Sequence, residues 1–162
     1  MQNLFRYLDA SGFGGGSKDG AVDGSSTPVI LKLKPENKIV RIHQLIVHIR
    51  CSNAGFDMDD YGDVSVLANG VLVQVKALND DRVILDLLDG MPVQNNSAWA
   101  RVTDNILNAD IGAGDAFVTV RWNFVNSGRP VELTNKSYFT VTIQDNLAGL
   151  VEHTFMVQGV TG

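Results

Sequence analysis

The side chains able to do chemistry are few, and their spacing does not gather them. The histidines are His43, His48 and His153, and the single cysteine is Cys51. A metal-assisted hydrolase needs ligands at close, fixed spacing such as H-E-x-x-H, and none of the three histidines sits in such a pattern. His43 and His48 are five apart in IVRIHQLIVHIR, so a regular strand sends them to opposite faces and a shared metal is not expected. Cys51 follows His48 by three residues, yet a reactive thiolate asks for an electropositive setting and the segment after it is acidic. Cys51 is read as a small buried filler. No serine lies in a G-x-S-x-G elbow. GFGGG at 12–16 resembles a phosphate cradle in composition only: no strand leads into it and no Gly-Lys-Ser/Thr follows, so it reads as linker.

The acidic residues tell a similar story. SNAGFDMDDYGD, 52–63, holds the densest acid, and Asp57, Asp59 and Gly62 overlay the start of a calcium loop. Tyr61 then falls at position five and Ala68 at position twelve, where the bidentate glutamate should be, so a solvated loop is the better reading. Glu36, Glu132 and Glu152 each lie at a turn or strand start, and nothing sets two carboxylates on one concave face as glycoside hydrolysis requires. Sugar binding without catalysis remains open, because Asp57, Asp59, Tyr61 and Trp99 are residue types such surfaces use. The expectation is a protein that is not an enzyme and needs neither metal nor cofactor.

What would position these residues is a set of strands. FVTVRWNFV, 117–125, alternates strictly, with Val118, Val120, Trp122 and Phe124 on one side, as in a half-buried central strand. VILKLK at 29–34 alternates likewise, and a PEN turn at 35–37 leads into 39–50. There the apolar residues do not keep to one face, which predicts a bulge or cover on both sides. Asn69-Gly70 between VSVLA and VLVQV suits a type I′ hairpin. RVILDLL at 82–88, a short piece at 131–133, SYFTVTIQ at 137–144 and HTFMVQG at 153–159 supply further strands. Segment 93–116 reads as a long connection or a short helix at Trp99. No stretch of ten or more residues has a helical period. The class is therefore all-β, an antiparallel sandwich that is jelly-roll-like, over a single domain at 28–162.

Residues 1–27 read differently. Leu4, Phe5, Tyr7 and Leu8 form an apolar tip ahead of SGFGGGSKDGAVDGSS, whose glycine density resists fixed geometry. Two readings stand: a flexible N-terminal arm whose Leu4, Phe5, Tyr7, Leu8 and Phe13 contact a partner, or a terminus folded back on its own domain. The formal net charge is −5 with no Lys/Arg run, which argues against nucleic acid as partner. No apolar run is long enough to span a membrane as a helix, and no secretory signal opens the chain. With one cysteine no intrachain disulfide forms.

YGDVSVLANGVLV at 61–73, VRWNFVNSGRPVEL at 120–133 and TIQDNLAGLVEHTFMVQG at 142–159 together resemble small structural proteins from the virions of tailed bacteriophages. The resemblance implies a particle component assembled in the host cytoplasm, with the major capsid protein or another virion protein as partner. It implies decoration of the capsid shell first, and a head-to-tail vertex or tail position as the alternative. A homo-oligomer follows, and a trimer suits local threefold points of a shell.

Overall fold

The alternation along the chain resolves into two antiparallel sheets packed face to face. The computed structural model describes residues 1–19, 23–51, 69, 71–91, 101–102, 109–110, 116–124, 130–148 and 150–162. Its strands are β1 (Gln2–Tyr7), β2 (Val29–Leu33), β3 (Val40–Cys51), β4 (Val71–Ala77), β5 (Val83–Met91), β6 (Arg101–Val102), β7 (Ala109–Asp110), β8 (Ala116–Asn123), β9 (Val131–Leu133), β10 (Ser137–Ile143) and β11 (Leu150–Thr161). The larger sheet runs β1-β11-β3-β8-β6, with β7 also on β8 and β9 also on β3. The smaller runs β2-β10-β4-β5.

Period-two patterning puts the core between them. Leu45, Val47 and Ile49 of β3 and Phe155 and Val157 of β11 face Leu31, Leu33, Val73, Val75, Phe139 and Val141 of the smaller sheet. Trp122 and Phe124 point inward as the alternation of 117–125 predicts, and the Phe124 ring meets Phe139 edge-on at 6.1 Å across the two sheets. Each large side chain so buried contributes roughly 1.5–3 kcal/mol before chain entropy is charged.

The irregularity expected in β3 is a bulge. Register with β11 passes from Gln158↔Gln44 to Gly159↔Ile42, so His43 is the extra residue, and both Ile42 and Leu45 can face the core. A second shift, from Leu150↔Cys51 to Glu152↔Arg50, makes Val151 the extra residue on β11. At the first bulge the backbones close up. A methyl group on Gly159 would overlap the Arg41 carbonyl oxygen, which is why glycine stands there. The PEN turn also forms: Lys38 N–H donates to the Pro35 carbonyl at 3.0 Å, with Glu36 and Asn37 both at positive φ.

The flexible arm does not survive. Residues 2–7 are the edge strand β1, paired with β11 from Gln2↔Thr161 to Tyr7↔Met156, and Leu4 and Leu8 are buried in the core. Glycine density suggested disorder because it counts chain entropy alone. What offsets that entropy is an acceptor the backbone can wrap. The fully buried Asp9 carboxylate takes the Ser11 hydroxyl at 2.8 Å, Gly12 N–H at 2.7 Å and Gly16 N–H at 2.6 Å. The loop then ties both sheet edges, because Lys32 N–H of β2 donates to the Asp9 carbonyl and Asp19 bridges Thr154 of β11. GFGGG is thus neither free linker nor phosphate cradle: its amides are turned onto an anion the chain itself supplies.

Two expectations fall largely beyond view. The leading strand of the Asn69-Gly70 hairpin, 64–68, lies outside the described residues, and Asn69 itself donates its N–H to Asp145 at 3.1 Å. Of segment 93–116, the described pieces β6, β7 and the start of β8 are strands.

Candidate functional site

Strand register, rather than sequence proximity, assembles the chemistry on the outer face of the larger sheet. Alternation turns Gln44, Ile46 and His48 of β3 away from the core. Pairing then builds rows across four strands. One row is Phe5, Gln158, Gln44 and Asn123, from β1, β11, β3 and β8 in turn. The next is Tyr7, Met156, Ile46 and Arg121. A third carries Thr154, His48 and Thr119, with Asp19 bridging Thr154 where β1 has ended.

These rows line a trough of about 480 Å³ bounded by Phe5, Gln44, His48, Arg121, Asn123 and Gln158. It continues past His48 into a second hollow beside Tyr7, Lys18, Glu152 and Thr154. Ile46 is almost wholly covered in its floor although it faces outward, because Met156 and Arg121 flank it in register. Phe5 stands 61% exposed at the rim. Lys18 lies over the Tyr7 ring at 4.9 Å.

The electrostatics hold the central histidine of this face uncharged. Burial depresses the His48 pKa, the Arg121 charge depresses it further, and Glu152 offsets part of this, so the ring is neutral near pH 7. Its Nδ1 lies 3.0 Å from the Thr119 hydroxyl. Charges gather at the two ends of the face as pairs, Arg41 with Glu132 at 3.0 Å and Arg50 with Glu152 at 3.3 Å. Among the described residues no three His, Cys, Asp or Glu side chains cluster as a metal site would require.

The residues singled out from sequence scatter. Leu4 and Leu8 are core residues, which removes them from any partner contact. Phe5 joins the trough, Tyr7 joins it half-buried, and Phe13 is exposed at the far end of the sandwich. Asp57, Asp59, Tyr61 and Trp99 lie outside the described residues, as does the side chain of Cys51. Gln44, His48, Arg121, Asn123 and Gln158 were missed as a group because each strand shows its own alternation, while the alignment of one strand beside another is not written in any local pattern.

At the end holding Phe13, a second surface forms where three turns converge: β2–β3, β4–β5 and β9–β10. Two connected hollows of about 560 and 440 Å³ share Leu78 and Asn135 there. Phe13, Leu78 and Ile84 are exposed around them, with Lys34, Arg82 and Lys136 on the margin.

No family model matches the chain, and no curated protein matches it either.

Proposed function

We propose that the chain is a structural protein of a tailed-phage particle, a jelly roll that decorates the capsid shell. The observation that carries the reading is nested pairing. β1 pairs β11, β2 pairs β10, β3 pairs β8 and β4 pairs β5, which is one long hairpin folded over into sheets ordered β1-β11-β3-β8 and β2-β10-β4-β5. Such nesting supports a jelly-roll reading, an architecture that viral capsid domains share with lectins and cupins. The three segments resembling virion proteins supply the rest of the argument.

With the arm folded into the sandwich, attachment falls to the exposed end. Phe13, Leu78 and, on β5, Ile84 offer apolar area around turns held by the fold: Leu78 N–H donates to Lys136 O at 2.9 Å and Tyr138 OH to Asp81 at 2.6 Å. Many copies seated on a lattice would each add modest contact area that only the assembled shell recruits.

Density mapping of an intact particle tests this directly. On the order of hundreds of copies on the shell is the expected result, and about a dozen or fewer at one vertex or in the tail would replace decoration by the vertex or tail reading. Leu78→Asp with Ile84→Asp is expected to abolish co-sedimentation with particles while the isolated chain still melts cooperatively.

A further inference from the structure

The outer face of the larger sheet has a composition that solvation alone does not explain. Across β1, β11, β3 and β8 its two central rows carry one charge, Arg121, among amides, aromatics, Ile46 and Met156, and β6 sets Arg101 in register beside Asn123. Gln158, Gln44 and Asn123 stand side by side on three successive strands, all partly exposed. Each amide offers both donors and acceptors, and adjacent strands space them about 4.8 Å apart. A hydroxyl-rich ligand matches that set, since every hydroxyl also gives and takes. An anion would leave the amide acceptors unused.

Size separates a small ligand from a protein partner. Three rows at about 6.8 Å and four strands at about 4.8 Å make a patch of roughly 400 Å². A standard protein interface takes about 800 Å² from each side. The patch is half of that, and it is hollowed rather than flat. Phe5 and Tyr7 wall one side; Lys18 lies over the Tyr7 ring, and the exposed Phe5 ring gives an apolar face beside the polar floor, as carbohydrate C–H faces require. Strands hold every one of these side chains, so the constellation is set in place before a ligand arrives.

We infer that this trough binds a neutral oligosaccharide, its hydroxyls on the Gln158, Gln44 and Asn123 amides and a ring face against Phe5. The inference stands apart from the particle reading: a chain that decorates no shell can still bind sugar here, and a shell protein can lack the activity.

Titration of the isotope-labelled full chain, followed by amide chemical shifts, tests it. The probes are neutral gluco-, manno- and galacto-oligosaccharides of roughly four to six rings, with a uronic-acid oligomer as the charged counterpart. At least one neutral series is expected to bind, with shifts centred on Phe5, Gln44, Asn123 and Gln158. Gln44→Ala and Gln158→Ala should each weaken that binding about five- to tenfold at unchanged melting temperature. Silence from every neutral series, preference for the acidic oligomer, or shifts mapping elsewhere would overturn the assignment. So would variants that leave sugar affinity untouched but change the mass seen by light scattering, because the face would then belong to a protein contact.

Discussion

Asp9 and His153 are equally sealed from solvent, yet the fold handles them in opposite ways. Burial raises the pKa of Asp9, but hydrogen bonds from Gly16, Ser11, Gly12 and Gly14 outweigh it and hold the carboxyl at about 2. For His153 burial decides the outcome. Burial alone pushes its pKa down to about 3, and the ring lies neutral against Phe155 at a centroid distance of 4.6 Å. One group keeps its charge because a loop is wrapped around it; the other is held neutral by its burial in the core. The lesson is that a buried titratable group marks an organised site only when donors converge on it.

The largest expected effect belongs to His153. Above pH 6.5 it is neutral in folded and unfolded chains alike, so its contribution is fully present. Between pH 6.5 and about 3 the unfolded chain takes up a proton that the folded chain refuses, and stability falls with pH by on the order of 4 kcal/mol. Urea midpoints measured from pH 7 to 4 should flatten in His153→Leu. A slope as steep as the parent's would mean that this ring is not the acid-sensitive element.

Asp9 comes next, in a lower window. Its stabilisation is present above pH 3.8 and lost as pH falls through about 2. Asp9→Asn should cost roughly 2 kcal/mol at pH 7, since an amide NH₂ turned toward backbone N–H groups cannot replace a carboxylate. Hydrogen exchange should then show the Gly12 and Gly16 amides opening while β3 stays protected. If those amides exchange at the parent's rate, the wrapped carboxylate is not what orders residues 10–19.

The smallest effect is an intermediate case. Tyr138 is buried with a single partner: burial, and then the bond to Asp81 and its charge, raise its pKa to about 12. Tyr138→Phe should lose about 1 kcal/mol. A loss as large as that of Asp9→Asn would show that the number of converging donors is not the quantity that matters.

How much of this was legible beforehand depends on whether the information is local. Trp122 and Phe124 were placed by alternation within one strand, and the bulge at His43 was foreshadowed by Ile42 and Leu45 falling out of phase. The N-terminal segment was misjudged because glycine's entropic cost is local whereas the acceptor that offsets it, Asp9, acts only once the loop closes on the β2 edge. The trough was invisible for a related reason: Gln44, Asn123 and Gln158 are far apart along the chain and become neighbours only through β3's two ladders.

The paired irregularities in that ladder carry one more implication. His43 is extra on β3 and Val151 on β11, and the offsets cancel, so Leu150↔Cys51 and Thr161↔Val40 belong to the same register. Removing either residue leaves Ile42 and Leu45, or Leu150 and His153, still facing the core, because what is excised is the step that alternation skips. The sandwich can therefore be shortened by one residue at either place without reshuffling its partners. What such a deletion would change is curvature, and at His43 that means the junction where β3 trades β8 for β9 as its neighbour.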